Sequence, residues 1–396
     1  MLLGVVGKPN CGKSTFFQAI TLSDVEAANY PFATIEPNEG IGFVKVSCAC
    51  QDFDTTCNPR TGRCIDGTRF VPIKMIDVAG LVPGAHEGKG MGLAFLDDLN
   101  QADALIHVID LSGGTNAKGE PVEPGSYDPA KDIEFLEEEL DQWYLTIMKK
   151  NWEKLVRKVT QTDLDRDDEL TEQFSGVGAT EGIIKDTLRE TNLEDITLDK
   201  WKESDLLEFC SVLRRYTKPM LIAANKADMP GAMETYERLV DEFPEHTIVP
   251  LSAESELALK RADEKGVVDY IPGNNSFTIG DGASDKQMKA LGFIEDVVSH
   301  LGGTGAQSVV DKTVFDVLKM VYVFPGGANK LEDKDGNTLP DCFLLPRGST
   351  VLDFAYHIHS DLGEGFIRAI DVRSQQNVKK DHEVSNGDVL EIIADT

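Results

Sequence analysis

The segment Gly7-Lys8-Pro9-Asn10-Cys11-Gly12-Lys13-Ser14 matches the pattern G-x-x-x-x-G-K-[ST] without deviation. Such a loop lets backbone N–H groups close around phosphate oxygens, and a helix starting at its end adds a favourable dipole. In that setting Lys13 reaches the β- and γ-phosphates, Ser14 offers its hydroxyl to Mg²⁺, and Thr15 follows in the same turn. Further along stands Asp77-Val78-Ala79-Gly80. An Asp at the end of a buried strand can hold Mg²⁺ through water, and Gly80 can offer its N–H to a γ-phosphate. Asn225-Lys226-Ala227-Asp228 has the N-K-x-D pattern of guanine-specific proteins. The Asp228 carboxylate can accept from the N1–H and 2-amino group of guanine. Adenine has neither donor and would leave that carboxylate unpaired. Asn225 would brace the loop, and the stem of Lys226 would pack on the base. Ser252-Ala253 fits a loop whose backbone N–H meets the guanine O6.

These residues need strands and helices to bring them together. Leu2–Val6 reads as a buried strand before the phosphate loop, and Ser14–Leu22 as the helix after it. A second strand starts near Phe43. Phe70–Ile76, Ala104–Asp110, Met220–Ala224 and Thr247–Leu251 are the third to sixth. Apolar runs separated by helical stretches indicate a mostly parallel α/β sheet. Residues 1–127 and 217–319 are expected to be two parts of one nucleotide-binding domain, interrupted by a helical insertion at 128–216. In the insertion Phe135, Leu136, Leu140, Trp143, Tyr144 and Ile147 recur at helical spacing, and an antiparallel, coiled-coil-like helical pair is expected. Val309–Met320 reads as one more helix. Residues 320–396 form a compact tail of short strands and Gly turns.

Two further segments carry a resemblance. Asn29-Tyr30-Pro31-Phe32-Ala33-Thr34-Ile35-Glu36-Pro37-Asn38 resembles the first switch of the Obg-like, YchF-type GTPases, and Asp77-Val78-Ala79-Gly80-Leu81-Val82-Pro83-Gly84-Ala85 resembles their second. The resemblance runs over nearly the whole chain and is of the archaeal kind. It implies that Thr34 reaches Mg²⁺ when GTP is bound, which makes Lys13, Thr34 and Gly80 the catalytic candidates and Ser14, Thr34 and Asp77 the Mg²⁺ set. It also implies that the tail is a TGS domain, a β-grasp module with Leu345-Pro346-Arg347-Gly348-Ser349-Thr350-Val351-Leu352-Asp353 as its signature. Many YchF-type proteins carry Glu at the last position of N-K-x-D and prefer ATP. Here that position is Asp228, so GTP and GDP are the expected ligands. Leu81 stands where Ras-type proteins have a water-orienting Gln. Asn10 resembles the Asn of potassium-assisted GTPases, so K⁺ beside the phosphates is a further expectation. His86 is a water-positioning candidate, and a solvated loop histidine is its plainer reading. His107, inside an apolar strand, reads as a packed core residue.

Seven cysteines are unevenly placed. Cys48, Cys50, Cys57 and Cys64 cluster, and they either ligate Zn²⁺ tetrahedrally or lie as reduced thiols in a loop. The net charge of −29 argues against a general affinity for nucleic acid, because phosphate neutralisation needs clustered Lys and Arg. No apolar run approaches the length that spans a bilayer, and the short N-terminal run leads straight into the phosphate loop, so a cytoplasmic protein without membrane contact is expected. The residues point to GTP hydrolysis. The resemblance adds a switch in translation, with the ribosome or ribosomal RNA as partner through the TGS and helical regions. Two other readings stay open: an ATPase of the Obg-like type, and a nucleotide-gated binding module whose hydrolysis is incidental.

Overall fold

The structure, a computed structural model, describes residues 1–21, 38–78, 99–162, 164–328, 330–333 and 336–395. In chain order its elements are β1 (Leu2–Val6), α1 (Lys13–Thr21), β2 (Glu39–Ser47), β3 (Arg63–Ile65), β4 (Thr68–Asp77), β5 (Ala104–Asp110), α2 (Ala130–Gln161), α3 (Arg166–Phe174), α4 (Glu181–Glu190), α5 (Glu203–Thr217), β6 (Met220–Asn225), α6 (Ala232–Glu242), β7 (Thr247–Leu251), α7 (Ala253–Glu264), β8 (Val268–Asp269), β9 (Thr278–Ile279), α8 (Asp285–Leu301), α9 (Ala306–Lys312), β10 (Met320–Pro325), β11 (Phe343–Pro346), α10 (Val351–Ile358), α11 (Ser360–Glu364), β12 (Phe366–Asp371), β13 (Gln376–Val378) and β14 (Asp388–Ala394). They gather into two compact units, Met1–Phe17 with Met75–Glu254, and Gln18–Lys74 with Ser255–Thr396.

In the first unit β5 and β6 are buried at every position, which is why both read as unbroken apolar runs rather than alternating ones. The strands run parallel in the order β1-β5-β6-β7. The register pairs Val6 with His107, Asp110 with Asn225, and Asn225 with Leu251. The carboxyl ends of β5, β6 and β7 are therefore level, β1 ends opposite His107, and the loops that leave them share one edge. The end of β4 joins that edge, where Val78 N–H donates to the Val5 carbonyl at 3.0 Å.

The insertion departs from the expected pair. It is a bundle of four helices, α2 to α5, closed on a shared core of Tyr144, Met148, Phe174, Leu188, Trp201 and Phe209. The Tyr144 and Phe174 rings stack at 6.2 Å, and Trp201 meets Phe209 at 5.2 Å. A broad aromatic core of this kind suits a globular bundle rather than the narrow seam of a coiled coil. Buried Arg214 on α5 donates to Asp141 at 2.6 Å and to Glu137 at 2.9 Å, which locks α5 to α2.

In the second unit the expected helix Val309–Met320 is broken. It ends at Lys312, Thr313–Val317 widens into a π-helical turn, and Lys319 takes φ +53 before β10 begins. On α9, Asp311 accepts from the Lys45 N–H of β2 at 2.8 Å and from Gln307 Nε2 at 2.9 Å. The tail forms a five-stranded sheet in the order β11-β10-β14-β12-β13. Its outer pairs are antiparallel and the central β10–β14 pair is parallel. α10 covers this sheet through Val351 and Phe354, packed on Val321, Val323, Leu345 and Leu390. This is the β-grasp arrangement, and with the α/β phosphate-loop unit and its helical insertion it completes the expected fold class.

Candidate functional site

In open α/β sheets ligands bind beyond the carboxyl ends of the strands. In the first unit that edge carries the loop after β1, the end of β4, the loop after β6 and the loop after β7. Three of the sequence motifs, and Asp77 of the fourth, therefore converge, although they are far apart in the chain.

The phosphate loop turns through Asn10 at φ +63 and Gly12 at φ +95, and α1 starts at Lys13. Gly12 has a steric reason to be glycine. A Cβ there would meet the Asn225 amide nitrogen at 2.1 Å. The first turn of α1 carries no acidic side chain to offset the positive end of its dipole. Ser14 is exposed in that turn and Thr15 is half-buried. Lys13 forms a close ion pair with Asp77 at the end of β4. The residue meant for phosphate and the residue meant for the metal thus already face each other. Cys11 is fully buried, and burial, only partly offset by Lys13, pushes its thiol up to about 11, so the loop carries a neutral sulfur.

Asn225 is the hub of the base side. It is 4% exposed; its Nδ2 donates to the Cys11 carbonyl at 2.9 Å, and its Oδ1 accepts from Ala253 N–H at 3.0 Å. One side chain thereby ties the phosphate loop to the Ser252-Ala253 loop. Lys226 sits at φ +64 and donates from Nζ to Asp110 at 2.7 Å and to the Asn10 carbonyl at 3.2 Å. Asp228 is half-buried, and its carboxylate has no hydrogen bond or ion pair among the described residues. Ser252 is buried directly after the end of β7.

Several participants escaped the sequence reading. Asp110 ends β5 fully buried and accepts from Thr115 Oγ1 at 2.9 Å, from the Ser112 N–H at 3.1 Å, and from Lys226. Its signal was a carboxylate closing an apolar strand, followed by Ser112 and Thr115. Lys8, an unspecified position of the motif, is buried, pairs with Asp132 at 2.8 Å and lies 3.9 Å over the Tyr127 ring. Asn10 Nδ2 donates to the Gly119 carbonyl at 2.9 Å, which leaves its amide oxygen free of that bond. His107 is buried as expected, and burial pushes it down to about 3, so it is neutral. Thr34 and Gly80, with Leu81 and His86, lie outside the described residues.

The cysteine cluster belongs to the second unit. Its four Sγ atoms lie within 4.8 Å of one another; Cys48, Cys50 and Cys57 are buried and Cys64 is half-buried. Three of the four thiols therefore do not lie at the surface.

The chain is similar to known GTP-binding proteins. Sequence models described as "50S ribosome-binding GTPase", "Obg-like GTPase YGR210-like, G4 motif-containing domain" and "TGS domain" match residues 2–151, 223–327 and 325–394. The chain is 46% identical to an uncharacterized GTP-binding protein of Methanocaldococcus jannaschii over 99% of both chains. The crystal structure of a GTP binding protein from Pyrococcus horikoshii superposes with a TM-score of 0.80 at 36% identity, covering 100% of both chains. The ribosome-binding ATPase YchF of Haemophilus ducreyi is 26% identical over 98% of this chain and 97% of its own length. Among the described residues no helix is long and apolar enough to cross a membrane.

Proposed function

The chain belongs to the Obg-like, YchF-type GTPases, and from that premise we propose that it is a guanine-specific, Mg²⁺-dependent switch that acts on the ribosome in the cytoplasm. Hydrolysis of a nucleoside triphosphate is a property of this family. The observation that carries the guanine reading is the Asn225 bridge, which sets the phosphate loop and the Ser252-Ala253 loop in one frame, close in sequence to an Asp228 carboxylate that has no partner among the described residues.

In the proposed mechanism the N–H groups of the loop from Gly7 to Ser14 and the start of α1 cradle the phosphates. Lys13 leaves Asp77 for the β- and γ-phosphates, and Gly80 donates to the γ-phosphate. The residues present suit Mg²⁺: the exposed Ser14 hydroxyl, the Asp77 carboxylate and Thr34 are all oxygen donors. When bound, Mg²⁺ supplies neutralisation of phosphate charge. Asp228 pairs with the N1–H and 2-amino group of guanine, and Lys226, held by Asp110, packs along the base. Leu81 cannot orient water by hydrogen bonding. The amide oxygen of Asn10, which has no hydrogen bond among the described residues, favours K⁺ as the additional charge beside the phosphates. The zinc expectation concerns the second unit and stands apart from this chemistry.

Residues 1–127 with 217–319, 128–216 and 320–396 would act as nucleotide domain, insertion and TGS domain. The insertion and the TGS domain are proposed as the ribosome-facing parts. Support comes from the YchF relatives, described as ribosome-binding ATPases, and from the family described as a 50S ribosome-binding GTPase. With a net charge of −29, contact with RNA must be local rather than general. The names of those relatives also favour an ATPase. Asp228 in the guanine loop favours GTP instead.

The test is steady-state GTP turnover with and without ribosomes, together with sedimentation of GTP-loaded protein. Co-sedimentation and faster turnover on ribosomes are expected, with both lost in Lys13→Ala. Turnover indifferent to ribosomes and no co-sedimentation would remove the ribosomal part.

A further inference from the structure

The four clustered thiols present a geometry that a loop has no reason to adopt without a ligand. Cys48 Sγ lies 3.6 Å from Cys57 Sγ, and Cys50 Sγ lies 3.9 Å from Cys64 Sγ. A tetrahedron of sulfurs around one ion at about 2.3 Å has edges of about 3.8 Å. The two measured separations bracket that edge, and all four sulfurs lie within 4.8 Å of one another. A polynuclear iron–sulfur cluster places several irons and sulfides between its thiolates and spreads them more widely. A single soft, tetrahedral ion fits the separation.

The local backbone serves the same end. Cys48 and Cys50 stand at the start of a short 3-10 turn, Ala49–Phe53, and Asp54 reverses the chain at φ +46. Cys64 is on β3, whose hairpin to β4 turns at Asp66 and Gly67. The Gly67 carbonyl accepts from Cys48 N–H at 2.8 Å. Gly67 has φ +75, a left-handed conformation that favours glycine, and it packs against the Gln51 side chain.

The segment between the third and fourth thiols does more than close a loop. Asn58 N–H donates to the Thr338 carbonyl at 3.1 Å, and Arg60 N–H to the Pro340 carbonyl at 3.0 Å. Thr338 N–H returns a bond to Asn58 Oδ1 at 2.6 Å, and Arg60 pairs closely with Asp341. Buried Arg69 donates to the carbonyls of Leu339 at 3.1 Å and Pro340 at 2.8 Å, while its other contact is Cys57 Sγ at 3.7 Å. Asp52, in the turn beside Cys50, accepts from Arg373 at 2.7 Å. Thr338, Leu339, Pro340, Asp341 and Arg373 all belong to the tail. A metal at the thiols would fix both ends of residues 58–63 and thereby hold the strip on which residues 337–341 are seated.

We propose that Cys48, Cys50, Cys57 and Cys64 bind one structural Zn²⁺, and that this ion staples the 48–67 loop to the β-grasp tail. The ion is redox-inert and fully ligated by protein, so its contribution is to folding and not to the GTP chemistry. The proposal does not depend on the nucleotide reading.

The experiment uses full-length protein purified without chelator. Elemental analysis is expected to find about one zinc per chain. Cys50→Ser should lose it, and Cys210→Ala, a buried cysteine of the insertion, should keep it. Cobalt added to zinc-free protein should give the strong visible bands of tetrahedral thiolate ligation. Thiol titration of unfolded, unreduced protein should find all seven cysteines free. The amides of Asn58 and Arg60 should exchange with solvent at least about tenfold faster once the metal is removed. Native protein without zinc, zinc retained in Cys50→Ser, iron in its place, or only three free thiols would overturn the site; the last result would mean that the close sulfur pairs are disulfides. Zinc loss with unchanged exchange at Asn58 and Arg60 would overturn the staple.

Discussion

Asn225→Ala tests how much of the nucleotide site is preassembled. The substitution deletes the bond to the Cys11 carbonyl and the bond from Ala253 N–H, at a position that is only 4% exposed. A buried polar group left without its partner costs about 1–3 kcal/mol. Two such groups give about 2–6 kcal/mol, and water admitted into the vacated space brings the expected loss toward about 2–4 kcal/mol. The cost divides between two observables. The bonds join the phosphate loop to the Ser252-Ala253 loop within the protein itself, so part of the loss should appear as stability of the free protein. The remainder appears as affinity, because GTP must then order loops that the wild type holds in place. If about 1–2 kcal/mol falls on binding, Kd rises about 5- to 30-fold. Urea unfolding of the free protein and titration with a fluorescent GTP analogue measure the two parts. Asn225→Asp is a sharper comparison. It keeps an acceptor for Ala253 N–H but sets a carboxylate against the Cys11 carbonyl, so its loss should exceed that of alanine. An Asn225→Ala protein with an unchanged urea midpoint and an unchanged Kd would refute the bridging role.

Asp228→Asn should weaken GTP by about 2–4 kcal/mol and improve xanthosine triphosphate, because an amide donates where the carboxylate accepted; calorimetric titration of both nucleotides checks this, and undiminished GTP affinity would contradict it. GTP turnover should be faster in KCl than in NaCl at matched ionic strength, with the difference lost in Asn10→Ala; equal native rates would remove the potassium proposal, and a difference that survives the substitution would place the cation elsewhere. Burial pushes the Asp311 carboxyl up to about 7, so the folded protein holds a proton that the unfolded chain releases. The stability this group contributes is complete below the ordinary carboxylate pKa and is lost as pH rises to about 7. Asp311→Asn keeps an acceptor for Lys45 N–H and Gln307 Nε2, and at pH 8 it should be the more stable protein by about 2–4 kcal/mol, each pKa unit corresponding to about 1.4 kcal/mol. Urea midpoints across pH 4 to 8 measure this, and parallel pH profiles for the two proteins would contradict it.

The parts of the fold visible in the sequence are those governed by local pattern. Ala104–Asp110 and Thr247–Leu251 appear in the structure with the bounds their apolar runs suggest, because strands buried on both faces cannot carry polar residues without cost. The phosphate loop is legible because its spacing is set by the ligand it cradles. The four-helix insertion was not. Its shorter helices α3 and α4 are mostly polar, and only the assembled core shows that Leu170, Phe174, Ile184 and Leu188 face one interior. Asp110 and Lys8 were missed for a related reason. Their roles depend on Lys226 and Asp132, more than a hundred residues away. The cysteines stood between the two cases. Their spacing fits no common zinc pattern, and they converge through left-handed turns at Asp54 and Asp66 that ordinary side chains disfavour.

The central claim is that this chain hydrolyses GTP and selects it through Asp228. The most direct measurement is steady-state phosphate release by the purified protein with Mg²⁺, from GTP and from ATP, each in the presence of the other as competitor. GTP should be hydrolysed, ATP should fail to compete at equal concentration, and Lys13→Ala should release no phosphate from either. Phosphate release from ATP that equals or exceeds that from GTP would contradict the account.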